Sequence, residues 1–292
     1  MPSLEDELLS GLEPGPVRMN IGGVDGIGKS TFGSQAPNPV FICTEKGTAF
    51  LNVKKFPLCE KYQDIIDCIK KLATMDHDRK TVVLDTTDWA EILTHEAVCE
   101  EKNVSGIEEI TYGKGYTAAR EKFRKILRGL DILHDQKKMN VILLSHVDIR
   151  TFNDPEREPY DRYQLKLHNK TASIIREWVD FNFFANHQVR TVKEGKGFNE
   201  QTRALAMGDP MLFTKFSPAF DAKRRVPLPD KIELKWDSFY DEYKKSIKIC
   251  RRHKVSEEIL CDHCGEEILD GGYKYKGLLC CTLCLREELN LS

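Results

Sequence analysis

A mostly parallel α/β sheet covered by helices on both faces is the fold class this sequence predicts, with a small cysteine-rich unit appended at its end. Three observations predict it. Short apolar runs recur at residues 19–22, 39–43, 81–84, 141–144 and 181–185, and longer polar, helix-compatible stretches such as 62–75, 91–102 and 117–134 separate them. A glycine-rich turn follows the first run, at the strand end where open parallel sheets bind their ligands. Six of the ten cysteines crowd into the last stretch of the chain, Cys250 to Cys284.

At 292 residues and 40% hydrophobic content, the chain can bury one substantial core and carry a small appendage. Charged residues make up 31% but nearly cancel, to a net of −2, so any nucleic-acid contact has to be local rather than a global field. The first residues carry acids and prolines instead of a basic stretch followed by an apolar run. A secretory leader is therefore not expected, and neither is a membrane span, which needs about 18 apolar residues in a row. The expected location is cytoplasmic, where clustered cysteines point to metal rather than disulfides.

Residues 1–17 read as an acidic amphipathic arm, with Leu4, Leu8, Leu9 and Leu12 ended by Pro14, Gly15 and Pro16. The core is expected over 18–235. Within it, 151–170 turns polar and holds Asn153, Asp154, Pro155 and Pro159, which predicts a long loop, functional or mobile. A second irregular stretch is expected over 194–229. Residues 236–254 read as one connecting amphipathic helix that ends in the basic run Lys244, Lys245, Lys248, Arg251, Arg252 and Lys254. The cysteine unit then occupies 255–292.

Gly23, Val24, Asp25, Gly26, Ile27, Gly28, Lys29 and Ser30 match the Gly-x4-Gly-Lys-[Ser/Thr] phosphate loop, after a strand and before a helix as the pattern requires. Glycines let the backbone aim several N–H groups at the phosphates of ATP, and the helix presents its positive end to the same anion. Lys29 neutralises phosphate oxygens. Ser30, or its neighbour Thr31, places a hydroxyl on Mg²⁺. The run Val82-Val83-Leu84 delivers Asp85 at a strand end, where its carboxylate is expected to hold the same ion through water.

Bound ATP stays intact until a group activates water, so the position of that carboxylate separates classes of phosphate-loop protein. Asp85 is followed by Thr86, whereas proteins of the AAA-plus type generally carry a Glu there. Glu45, at the end of the run Val40-Phe41-Ile42-Cys43-Thr44, is the candidate instead. The strand Val141-Ile142-Leu143-Leu144 ends in Ser145-His146; in RecA-like ATPases the corresponding strand end carries a polar sensor of the γ-phosphate, a place that His146 would fill by that likeness.

Further strings follow in order: Thr44-Glu45-Lys46-Gly47, Leu84-Asp85-Thr86, Tyr112-Gly113-Lys114-Gly115-Tyr116, Pro159-Tyr160-Asp161-Arg162-Tyr163-Gln164, Trp178-Val179-Asp180 and Ala222-Lys223-Arg224-Arg225. With the phosphate loop, this set resembles the phage and bacterial ATP-binding proteins related to the RecA-like single-strand-annealing recombinases of bacteriophages. The resemblance implies a RecA-like P-loop NTPase core that hydrolyses ATP and assembles as a homo-oligomer, ring or filament, on single-stranded DNA. It also implies annealing or strand exchange with a single-strand-binding protein, in a bacterial host cytoplasm. By the same resemblance, Lys223 and Arg225 reach a neighbouring subunit's nucleotide, with Arg224 leaving open which guanidinium crosses.

Single-strand binding needs cations along a groove and aromatic faces for bases to stack on. Arg150, Phe152, Arg157, Tyr160, Arg162, Tyr163, Lys166, His168 and Lys170 supply both, among the acids Asp148, Asp154, Glu156, Glu158 and Asp161. Two rival functions use the same phosphate loop. One is a small-molecule kinase, with Arg157 and Arg162 as a lid; the other is a nucleotide-gated assembly protein in which ATP only orders subunits. Glu45 and His146 fit hydrolysis better than transfer to a metabolite.

Cys261 and Cys264 form one Cys-x2-Cys pair, and Cys281 and Cys284 form a second, with Gly265, Gly271, Gly272 and Gly277 supplying turns between them. Two such pairs suit a four-thiolate structural Zn²⁺ site, which would furnish much of the folding energy of so short a segment. Cys280 adjoins Cys281 and could replace it, and His263 is a weaker substitute. Metal analysis of the purified chain should find about one zinc per molecule, lost in Cys261→Ser; a metal-free protein would remove the site.

Overall fold

The structure, a computed structural model, describes residues 15–194, 201–254, 273–275 and 278–280. All five apolar runs form strands. These are β1 (Arg18–Gly23), β2 (Pro39–Cys43), β4 (Thr81–Asp85), β5 (Asn140–Phe152) and β7 (Phe181–Glu194), with the two-residue β3 (Lys54–Lys55) at one edge. The sheet order is β3-β2-β4-β5-β1-β7, all parallel, and it continues into β8 (Gln201–Phe213) and β9 (Lys231–Glu233) by antiparallel pairing. Strand β5 therefore lies between the strand of the phosphate loop and the strand of Asp85. Register sets Gly23 opposite His146, and Cys43 opposite Asp85.

Each central strand is apolar on both faces because both are covered. Val82, Leu84, Val141 and Leu143 face a layer built from α2 (Tyr62–Thr74), α3 (Thr87–Lys102), α4 (Lys114–Asp135) and α5 (Asn169–Trp178), where Ile65, Phe123, Ile126 and Leu130 are fully buried. Val83, Ile142 and Leu144 join the opposite cluster, with Phe32 of α1 (Lys29–Ser34) and the aromatics Phe181, Phe183, Trp236 and Phe239. Alternate residues along one strand thus serve different cores, which is why no polar face shows in the sequence.

Three sequence expectations are corrected. Residues 151–170 are not a loop: β5 runs on to Phe152 and returns as β6 (Tyr160–Leu165), pairing Ile149 with Tyr163, Arg150 with Arg162 and Phe152 with Tyr160. Aromatic and β-branched residues facing one another hold that hairpin, while Pro155 and Pro159 sit outside its ladder. The stretch expected to be irregular over 194–229 contains β8, which pairs Phe213 with Phe184 of β7. The core also extends past 235. Trp236 and Phe239, at the start of α6 (Trp236–Lys254), are buried, and the Phe239 ring lies 5.5 Å from Phe181 and 5.7 Å from Phe183.

One compact unit holds Pro14–Lys244; the end of α6 and the antiparallel hairpin of β10 (Tyr273–Tyr275) and β11 (Leu278–Cys280) fall in the other. The leucines of the N-terminal arm and the cysteines expected to bind zinc, Cys261, Cys264, Cys281 and Cys284, lie outside the described residues. Among the described residues, no helix is long and apolar enough to cross a membrane. Phe123 is fully buried beneath the helical layer, so Phe123→Ala should cost about 3–5 kcal/mol in urea denaturation, with an unchanged slope.

Candidate active site

The phosphate loop leaves β1 at Gly23, where no side chain fits: a Cβ there would stand 2.8 Å from the Ala185 carbonyl oxygen. It enters α1 through Gly28, whose φ of 105° belongs to the left-handed region that glycine tolerates. Helix α1 spans only six residues, so the loop's own N–H groups, more than a long helix dipole, give the site its positive character. Lys29 is buried, and its ammonium donates to the carbonyls of Gly23 and Val24, at 3.0 Å each. Burial holds its pKa below the ordinary lysine value, against the pull of Asp25, Asp85, Asp88 and Glu45.

The two neighbouring hydroxyls, Ser30 and Thr31, are placed differently. The Ser30 Oγ donates to Asp85 Oδ2 at 2.7 Å, whereas Thr31 is exposed. The other carboxylate oxygen of Asp85, Oδ1, is buried without a hydrogen-bond partner among the described residues. Burial raises the pKa of this carboxyl, with the Ser30 hydrogen bond and Lys29 opposing. A hydroxyl beside a hard carboxylate oxygen in need of a partner is a donor set that suits Mg²⁺.

Strand β2 brings Thr44 and Glu45 to the same end of the sheet. The Thr44 hydroxyl donates to the Thr86 carbonyl and accepts from the Thr86 N–H, at 2.8 Å each, which fixes the exit of β4 against the exit of β2. The Glu45 side chain bends over Gly47, where a Cβ would come within 3.1 Å of Oε1. Burial pushes the Glu45 carboxyl above its ordinary value, partly offset by His146. That shift moves it towards the range of a general base.

His146 ends the β5 run beside the loop. Its Nε2 stands 3.3 Å from Asp25 Oδ1 at the loop tip, and its Nδ1 stands 2.9 Å from Asp88 Oδ2. The His146 backbone N–H donates to Asp88 Oδ1 at 3.1 Å. Asp88 therefore holds His146 by both oxygens, one on the backbone N–H and one on the imidazole, and raises the histidine's pKa chiefly through the side-chain hydrogen bond. Burial alone would lift Asp88, but the His146 hydrogen bonds bring its carboxyl below the ordinary value. Sequence reasoning missed Asp88, since an acid in a helix's first turn reads as a cap.

A buried polar ladder crosses the sheet behind these groups. The Thr87 and Ser145 hydroxyls lie 2.6 Å apart, the Ser145 hydroxyl donates to Asn20 Oδ1 at 2.6 Å, and Asn20 Nδ2 donates to Asn182 Oδ1 at 2.7 Å. Asn182 exchanges backbone hydrogen bonds with Lys223. The ladder thus ties the exit of β4 to the segment carrying the basic residues.

Those residues are placed differently from one another. The Lys223 ammonium donates to the carbonyls of Arg176, Glu177 and Val179, capping the end of α5 within its own chain. Arg224 pairs with Asp230 at 3.1 Å and also reaches Thr214 and the Leu228 carbonyl. Arg225 keeps a side chain 56% exposed, held by Asp180 at 3.1 Å. Asp180 in turn receives Arg18, at the start of β1. The structure brings together Lys29, Ser30, Asp85, Glu45 and His146, and leaves Lys223 and Arg225 beyond the far end of the polar ladder.

A family model described as an AAA domain matches residues 15–226, well over half of the chain. No curated protein matches it. Asp88→Asn should lower the His146 pKa, measured by the ring-proton NMR titration. A raised histidine stabilises fully below its unfolded value of about 6.5, and that contribution fades as pH rises through the folded value. A depressed aspartate contributes above about 3.9. The stability lost in Asp88→Asn, about 1–3 kcal/mol, should therefore be largest between these limits and smaller at alkaline pH.

Proposed function

The chain belongs to the AAA-domain family, and on that basis we propose that it is a Mg²⁺-dependent ATPase that works on single-stranded DNA in recombination, annealing or replication. The observation that carries the ATPase reading is the convergence of Lys29, Ser30, Asp85, Glu45 and His146 at the ends of four adjacent parallel strands. Backbone N–H groups of the loop and the Lys29 ammonium bind the phosphates. Ser30, and Asp85 through water, would hold magnesium, which would spread the phosphate charge. Glu45 takes the place that Thr86 denies to a carboxylate next to Asp85, and it accepts the proton of the attacking water. His146, fixed by Asp88, senses the terminal phosphate.

Arg225 is the better candidate for a cation acting across a subunit interface, because its side chain is the most exposed of the three, whereas Lys223 would have to abandon three carbonyls at the end of α5 and Arg224 is held by Asp230. Such a cation makes turnover depend on a homo-oligomer, ring or filament. The DNA reading is supported by continuity: β5 runs from His146 directly into the hairpin that carries Arg150 and Phe152. A single-strand-binding protein as partner, and a Zn²⁺ knuckle that contacts nucleic acid or protein, complete the proposal.

Lys29→Ala should reduce ATP turnover to background with an unchanged melting temperature; full turnover in that variant would exclude this site. Turnover in the unaltered protein should rise with single-stranded DNA and lose that stimulation steeply with salt. Turnover that needs a metabolite instead would identify a kinase, and nucleotide binding without turnover would identify an assembly switch.

A further inference from the structure

We propose that the cleft between the β5–β6 hairpin and α5 is a second anion site, separate from the phosphate loop, that takes a phosphate group. The cleft measures about 610 Å³, within the range of about 300–1,000 Å³ typical of small-ligand sites. Its lining includes three guanidiniums, those of Arg150, Arg162 and Arg176, and one carboxylate, Asp221.

Hairpin register sets Arg150 directly opposite Arg162, on the same face of the ladder. Like charges so placed repel and destabilise a hairpin unless an anion joins them. Asp221 answers only part of the charge. One of its oxygens receives Arg162 Nη2 at 2.6 Å and the other receives Arg176 Nη1 at 2.8 Å. Arg150 reaches Asp148 at 3.3 Å and the Leu167 carbonyl at 3.1 Å. Arg162 and Arg176 thus share a single carboxylate, while Arg150 has Asp148 beside it and Glu91 within Coulombic reach.

Arg162 is the centre of the arrangement. Its side chain is only 7% exposed, its Cζ stands 5.0 Å from the Phe152 ring centre and 5.7 Å from that of Phe216, and its Nε is buried without a partner among the described residues. A buried guanidinium is costly unless its donors are used. The clustering of three guanidiniums, two of which share one carboxylate, and the planar geometry of arginine favour an oxyanion, and a phosphate better than a singly charged carboxylate. The first turn of α5, through Asn169 and Ala172, closes another wall and adds the positive end of a ten-residue helix. The phosphate could belong to a free nucleotide or to the backbone of a nucleic-acid strand, since both present the same group.

Calorimetric titration tests this in full-length Lys29→Ala protein, so that the phosphate loop does not compete. The probes are inorganic phosphate, a deoxynucleoside monophosphate and a single-stranded oligonucleotide. At least one should bind, and Arg176→Gln and Arg150→Gln should each weaken it about ten-fold or more, the effect of losing a charged hydrogen bond. These two side chains are partly exposed, so their variants are expected to fold where Arg162→Gln would not; a thermal melt verifies this. Weakened binding of phosphate or the monophosphate identifies a free ligand, and weakened binding of the oligonucleotide alone identifies the backbone; either supports the site. Failure of all three probes to bind, or binding that neither substitution affects, overturns it. ATP turnover of the unaltered protein is a separate readout, so a negative result here leaves the nucleotide site standing.

Discussion

Parallel registration of four neighbouring strand ends is the constraint on which the site depends. Gly23 stands opposite His146, Asp85 opposite Leu144, and Cys43 opposite Asp85. Backbone ladders therefore set the spacing among the phosphate loop, His146 as the proposed sensor, Asp85 as the proposed metal ligand and Glu45 as the candidate base. Both faces of these strands are packed, so a one-residue slip of any of them would exchange its two core faces and displace its site residue. The chemistry rides on rigid elements, and only the phosphate loop itself and the turn after Glu45 depart from the sheet.

That placement gathers charge where water is scarce. Burial lowers the Lys29 pKa and raises those of Asp85 and Glu45, so each charged group here is disfavoured until a neighbour or ligand compensates it. Asp88 and His146 compensate each other through two hydrogen bonds. Lys29 rests on loop carbonyls, and Asp85 on Ser30. A triphosphate with its magnesium supplies the missing counter-charges on both sides, which is why the same burial that strains the ionised groups favours the ligand.

Behind the site, Thr87, Ser145, Asn20 and Asn182 replace apolar packing with a continuous hydrogen-bonded row. Buried polar rows of this kind are rigid because each member left alone would be costly. The row ends at the strand-like contact of Asn182 with Lys223, and Asp180 nearby links Arg225 to Arg18 at the root of β1. The basic segment is thereby anchored to the strand that carries the phosphate loop, with Arg225 left outward.

The phosphate loop, Asp85, Glu45, His146 and the five central strands are legible in the chain because each combines a local pattern with a local cause: an apolar run long enough to be a strand, then glycine or a polar residue where the strand ends. The hairpin of β5 and β6 was not legible, since one of its faces alternates Asp148, Arg150, Tyr160 and Arg162, and a strand with so many polar residues reads as a loop. Asp88 and Asp221 escaped for another reason. Their partners, His146 and the pair Arg162 and Arg176, lie far along the chain, and no local signal marks an acid that will meet a distant cation. Local propensity and apolar period set the strands and the loop; which charges meet, and which buried guanidinium donor is left without a partner among the described residues, followed only from the strand order that folding imposes.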